Sequence, residues 1–351
     1  MIDEAKLDAF VNRAITDIAA GYAGVMVSLG SRLGLYRTMA GAGPLSAAEI
    51  AARADCAERY VLEWLNSQVA AGYLDYHPTS GTYELSPEHA LVLADESSPC
   101  YIPSAWNTPA SMWLDEDKAV DAFRTGKGIP WGEHNGRLFC GVAAFYRNAY
   151  RANLVKEWLP ALDGVVEKLA AGATVADVGC GHGHSTIFMA EAFPKSRFYG
   201  FDVHAPSIEE ATRNATAAGV ADRTSFAVAN TTGYPQRQYD LLCFFDCLHD
   251  LGDPVAAAEY AAGALAPDGT LMLVEPFAHD SLEQNISPVA QIYYAASSMI
   301  CCAHAISEGG HLVLGAQAGR ARLAEVFRKA GFTRFRVAVE TPFNLVIEVR
   351  R

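Results

Sequence analysis

The chain has 351 residues, 51% of them hydrophobic, and a formal net charge of −13. That length suits more than one folding unit, and the apolar content excludes a largely disordered chain. The acidic balance argues against duplex nucleic acid or an anionic membrane surface as main partner, because both reward Lys and Arg.

The N-terminal stretch MIDEAKLDAFVNRAITDIAAGYAG carries acids where a signal peptide would carry basic residues. Its apolar positions follow the spacing of an amphipathic helix, and no uninterrupted apolar run reaches the length of a membrane span. The eight cysteines are scattered without paired spacing. They read as reduced thiols of a cytoplasmic protein, not as a disulfide framework.

Helix extends to about Leu35. Pro44-Leu45-Ser46 then leads into a short helix over 47–53, with Ser46 as N-cap and Glu49 at the spacing of a capping box. After a break at 54–56, a helix over 58–71 puts Val61, Leu62, Leu65 and Val69 on one face and ends at Gly72. Segments 73–76 and 82–85 alternate around the turn 78–81, a hairpin signal. Helix, turn, helix and hairpin together describe a winged helix-turn-helix. From Ser46 to Ala90, Arg53 and Arg59 face Glu49, Asp55, Glu58, Glu63, Asp75, Glu84 and Glu88, a net charge of −5. Phosphate contact needs the opposite sign, so a structural or dimerising module is the reading favoured over a DNA reader.

Residues 97–161 have weak periodicity and many aromatics, with a loop at 126–132. Trp106, Trp131 and Tyr146 read equally as core or as the lining of a small-molecule pocket between two domains. From 162 onward strands and helices alternate. Strands are expected at 174–178, 197–201, 225–229, 241–245 and 270–275, and helices at 185–193, 207–218, 254–265 and 320–330. Pro267-Asp268-Gly269 is expected to turn the chain before the fifth strand. This alternation is that of a doubly wound parallel sheet of Rossmann-like type. The last two strands, 333–341 and 345–350, are joined by three residues only. That is too short for a crossover helix, so they must form an antiparallel hairpin. The organisation expected is thus a mostly helical winged-helix domain (1–96), an aromatic-rich linker (97–161) and an α/β domain (162–351).

Asp177-Val178-Gly179-Cys180-Gly181-His182-Gly183 resembles motif I of the class I S-adenosylmethionine-dependent methyltransferases, and the terminal hairpin is similar to that family's reversed last strand. The resemblance covers about 162 to 351. The winged-helix front resembles the small-molecule methyltransferases that dimerise through it, and segments 239–250 and 305–311 resemble a bacterial subgroup of largely uncharacterised members. The resemblance implies S-adenosyl-L-methionine as cofactor, S-adenosyl-L-homocysteine as product, a small-molecule acceptor and a homodimer, with neither nucleic acid nor membrane as partner. A nicotinamide fingerprint would want a third glycine at position 184, which is histidine.

Within that frame Gly179, Gly181 and Gly183 let the backbone approach the cofactor. Asp177 is placed to hold its ammonium, and Asp202, beside Val203, to accept both ribose hydroxyls. Asn230, beside Thr231, stands where the family usually has an acid for the adenine amino group. Asp246 lies at the carboxyl edge of the fourth strand. His249, followed by Asp250, occupies the place of the catalytic histidine of plant-type O-methyltransferases, without their tryptophan, and is the candidate general base. Glu308 is the next catalytic candidate, able to orient His249 or to bind a cationic acceptor. Cys243, Cys247, Cys301, Cys302 and His304 lack the spacing of zinc ligands, so buried thiols and no metal are expected. The acceptor is expected to be apolar or aromatic and methylated on oxygen. The alternatives are methylation of nitrogen or sulfur, or a ligand-sensing winged-helix regulator without catalysis.

Overall fold

The computed structural model describes residues 1–351. It divides into two compact units, one of Met1–Ala110 with Cys140–Asn148 and one of Ser111–Phe139 with Ala149–Arg351. The aromatic segment is therefore shared between the units.

The first unit opens with a helix over Glu4–Arg32, capped by Asp3, whose side chain accepts from the Lys6 amide. The helix Ala47–Arg53 has the expected capping box, and Glu58–Ala70 follows it. The Gly72 and Tyr73 amides close that helix by donating to Val69 and Gln68 carbonyls, with Gly72 at φ +75°. Because the Tyr73 amide is spent there, the wing begins later than expected: β1 (Asp75–His77) pairs antiparallel with β2 (Thr82–Glu84). Val27, Tyr36, Ile50, Val61, Trp64 and Leu65 fill the core.

The Glu4–Arg32 helix also presents Phe10, Ile15, Ile18, Tyr22 and Val25 exposed along its length. Two helices, Glu4–Arg32 and Pro288–Ser307, are long and apolar enough to cross a membrane by length and composition. Neither is an uninterrupted apolar run: Arg13, Asp17 and Arg32 interrupt Glu4–Arg32, and Gln291, Ser297, Ser298 and His304 interrupt Pro288–Ser307.

The second unit is built on a seven-stranded sheet of β3 (Thr174–Val178), β4 (Arg197–Asp202), β5 (Thr224–Val228), β6 (Tyr239–Phe245), β7 (Leu265–Pro276), β8 (Arg334–Glu340) and β9 (Asn344–Arg350). Their order is β5-β4-β3-β6-β7-β9-β8. The first five run parallel, and β9 pairs antiparallel with both β7 and β8. Residues 267–269 do not form a separate turn. They belong to β7, where the register slips between Tyr239 and Leu241 of the neighbouring strand. A Cβ on Gly269 would come 2.7 Å from the Tyr239 carbonyl oxygen, so glycine lets this bulge lie close. Ala176, Val178, Leu242, Phe244, Leu271, Leu273 and Ile347 form the buried centre of the sheet. The strand order reverses between β3 and β6, and at such a point the carboxyl ends of the strands open a crevice for ligands.

One long helical segment spans Pro288–Ser307. It comprises Pro288–Ala296, a π turn at Ser297–Cys301 and a last α segment, Cys302–Ser307.

Candidate active site

The chain leaves β3 through the glycine turn and enters the helix His184–Ala192. Gly179, Gly181 and Gly183 have φ of +78°, +51° and +74°, a region that strains any other residue. Their surroundings differ. A Cβ on Gly179 would lie 2.6 Å from Cys247 Sγ, and one on Gly183 would lie 2.8 Å from the Phe226 ring. At Gly181 a Cβ would meet nothing within 4 Å. Gly179 and Gly183 thus admit neighbouring protein atoms, and Gly181 faces open space.

Asp177 is fully buried, and its Oδ2 accepts from Ser185 Oγ and Thr186 Oγ1, each at 2.6 Å. Its Oδ1 is buried with no hydrogen-bond partner. Burial raises the carboxyl pKa to about 6, against the pull of the two hydroxyls, and the Asp202 charge adds to the rise. Asp202, ending β4, accepts from the Gly181 amide (2.9 Å) and the His204 amide (2.8 Å). Burial raises its pKa as well, although both amides oppose this. Val203 beside it is exposed. Asn230 and Thr231 follow β5, and the Asn230 amide oxygen accepts from the Thr232 amide at 3.2 Å.

Asp246, just beyond β6, has φ +51°. Tyr150 donates to its Oδ2 and Asn344 Nδ2 to its Oδ1, each at 3.0 Å. A non-glycine residue held left-handed by its neighbours at a strand tip is strain of the kind that clusters at functional sites.

These residues fit the expected cofactor. A buried carboxylate oxygen without a donor suits an ammonium group. A second carboxylate at the next strand end suits a pair of ribose hydroxyls, and an exposed valine suits the face of a purine.

His249 sits in a short 3-10 turn, Leu248–Asp250, just after β6. Glu275, near the end of β7, is buried and grips this turn twice. Its Oε1 accepts from the Leu248 amide at 3.1 Å, and its Oε2 lies 2.5 Å from His249 Nδ1. On the other side of the ring, Nε2 is 3.2 Å from Asp250 Oδ1, misaligned for a hydrogen bond, which leaves that buried oxygen without a donor. Burial by itself would lower the His249 pKa; Asp250 and Glu275 together raise it well above the ordinary imidazole value.

Glu275 was missed by the sequence reading, although its signal was present. It is an acid ending the apolar run Leu271–Val274, the pattern that drew attention to Asp177 and Asp202.

Glu308 does not reach His249 by any hydrogen bond of its own. Its Oε2 accepts from the Gly252 amide at 2.8 Å, and its Oε1 is 3.5 Å from His304 Nε2. His304 Nδ1 in turn accepts from the Trp131 amide at 3.2 Å, which leaves the ring proton on Nε2, facing Glu308. The Trp131 ring packs against His304 and Phe139 (centroids 5.7 Å from each), and Phe139 stacks on His204 at 4.1 Å. An aromatic row therefore runs from the Asp202 end of β4 to the Glu308 helix. Trp131 belongs to it. Trp106 and Tyr146 lie in the first unit, where Trp106 covers Gly24 and Tyr146 meets the Phe145 ring edge-on.

Comparison with known proteins matches residues 21–95 to an Rv2258c-like winged HTH domain and residues 169–331 to a methyltransferase domain. Over 107 residues the chain is 33% identical to 27-O-demethylrifamycin SV methyltransferase of Amycolatopsis mediterranei, covering 30% of this chain and 39% of that protein. The match thus spans about two fifths of that relative's length. Among solved structures, PigF with SAH superposes with a TM-score of 0.72 at 18% identity, over 96% of this chain and 98% of that one. The mitomycin 7-O-methyltransferase MmcR does so with a TM-score of 0.70 at 18% identity, over 99% and 100%. At such identity these two likenesses concern the fold.

Proposed function

We propose that this chain, which carries a winged helix-turn-helix domain of the Rv2258c-like kind followed by a methyltransferase domain, transfers the methyl group of S-adenosyl-L-methionine to a small apolar or aromatic acceptor. The observation that carries this reading is the set at the strand-order reversal: Asp177 with its unpartnered buried Oδ1, the open face of Gly181, and Asp202 at the next strand end. Asp177 takes the ammonium, Asp202 the ribose hydroxyls, Gly181 leaves the room, and Val203, Asn230 and Thr231 border the adenine.

The bound cofactor supplies a methyl group already activated on a sulfonium, so the protein has to orient the acceptor and remove its proton. Glu275 holds the Nδ1 side of His249, which turns Nε2 and the neighbouring Asp250 Oδ1 toward the acceptor; the proton passes to this pair. Glu308 acts through His304 on Trp131 and so shapes the aromatic wall. Oxygen is favoured over nitrogen or sulfur as the methylated atom because a matched relative is named for methylation at an oxygen.

A second copy of the chain covers the apolar face of Glu4–Arg32, since an exposed apolar stripe of this length marks an interface. The acidic helix-turn-helix segment disfavours nucleic acid, and the scattered reduced cysteines suit the cytoplasm.

Calorimetry with S-adenosyl-L-methionine tests the central claim. The unaltered protein should bind it, and Asp202→Ala and Gly181→Val should lose it while remaining folded. No binding to the unaltered protein would refute the reading.

A further inference from the structure

Cys301 is distant in sequence from His249 and Asp250, and nothing in its spacing suggests a metal ligand. The π turn Ser297–Cys301 nevertheless carries it to the 3-10 turn that follows β6. His249, Asp250 and Cys301 each offer a ligand atom there, and the three lie within 4.8 Å of one another. We propose that these three side chains form a binding site for a thiophilic divalent cation of the zinc type.

Four observations carry it. The donor set of one imidazole, one carboxylate and one thiol is that of borderline-soft metals, with a fourth position left for water. The 3.2 Å between His249 Nε2 and Asp250 Oδ1 matches the edge of a tetrahedron with metal bonds of about 2.0–2.1 Å, and the thiol has to draw in by no more than about 1 Å. His249 has its other ring nitrogen on Glu275 Oε2 at 2.5 Å, and a carboxylate is one of the acceptors, with backbone carbonyls and water, that hold the second ring nitrogen of metal-bound histidines. Asp250 Oδ1 is buried without a donor, aimed at the space the cation would fill, and its side chain, 13% exposed, gives the route in.

Binding breaks the S–H bond of Cys301 and the Nε2–H bond of His249 and sends both protons to solvent. Two positive charges leave and two arrive, so the buried cluster keeps its net charge.

A cation bound by Nε2 and Asp250 Oδ1 occupies the pair of atoms to which the proposed reaction passes its proton. The site therefore works as an inhibitory metal switch; the inhibition rests on the role given to His249 above, and the binding does not. Cobalt(II) and zinc(II) are titrated into the full chain after treatment with a chelator. One equivalent of cobalt should produce a thiolate-to-cobalt charge-transfer band that zinc abolishes. Cys301→Ser should lose the band with its thermal unfolding unchanged, and Asp250→Asn should weaken binding by tenfold or more. If Cys301→Ser fails to fold, the Asp250→Asn titration decides. Absence of the band, its persistence in Cys301→Ser, or unchanged affinity in Asp250→Asn overturns the site. With turnover as readout, zinc should inhibit at the concentrations that fill the site, a chelator should reverse this, and Cys301→Ser should turn over normally without zinc and resist it. Zinc bound with the band displaced but turnover unaffected overturns the inhibitory role.

Discussion

Asp177 should make cofactor affinity depend on pH in a window that ordinary carboxylates do not reach. Burial lifts its pKa from 3.8 to about 6, so about nine in ten of these carboxyls are ionised at pH 7 and about one in ten at pH 5. The cofactor's ammonium stays protonated throughout and needs the ionised form. The apparent affinity should then fall about tenfold from pH 7 to pH 5, equivalent to about 1.4 kcal/mol.

The stability of the ligand-free protein should respond in the opposite sense. A carboxyl whose folded pKa lies above its unfolded one costs nothing below the unfolded pKa. Its burial becomes progressively destabilising as the pH rises toward 6, by about 3 kcal/mol for a shift of this size. Asp177→Asn keeps the shape and an acceptor for Ser185 and Thr186 but loses the charge. It should weaken cofactor binding by about 2 kcal/mol or more, about thirtyfold, because a buried ammonium then lacks its counter-charge. It should also flatten both pH profiles. Calorimetry at pH 5, 6 and 7, with thermal unfolding of both proteins at each pH, provides the assay. Affinity that is flat in the unaltered protein, or a slope equally steep in Asp177→Asn, would refute the reasoning; the second result would assign the titration to Asp202 or His182.

His249→Ala should retain cofactor affinity and lose turnover in an acceptor screen read by mass shift; unchanged turnover would remove the base assignment. Glu275→Gln should lower kcat with little effect on cofactor binding, because it loosens the His249 ring without touching the glycine turn. Gly183→Ala should lower the thermal midpoint, by an amount equivalent to about 1–3 kcal/mol, since the new Cβ would lie 2.8 Å from Phe226 at a left-handed φ. Ile15→Lys with Ile18→Lys should convert a dimer to a monomer in sedimentation while leaving cofactor binding intact, because both side chains are exposed on the Glu4–Arg32 helix. A protein that sediments as a monomer before substitution would contradict the assignment of that face.

Local chemistry was legible in the residues themselves. Ser46 and Glu49 mark a helix start because their side chains can satisfy each other's backbone groups, and the structure has that box. The connection of three residues between the last strands leaves only an antiparallel hairpin, which is what β8 and β9 form. Acids at the ends of β3 and β4 are legible because a polar residue ending an apolar strand has few structural uses.

What the sequence could not decide was which ends meet. Periodicity encodes the conformation and face of a segment, whereas neighbourhood depends on sheet order. Pairing β6 with β7 brings Glu275 to His249, and a π turn brings Cys301 to the same place. Packing likewise separated the roles of the three glycines, because Cys247 and Phe226 fill the space beside two of them. The glycine turn by itself determined the kind of donor this chain is built to hold. Only the tertiary structure decided the company His249 keeps, because three segments far apart in sequence meet at the end of one strand.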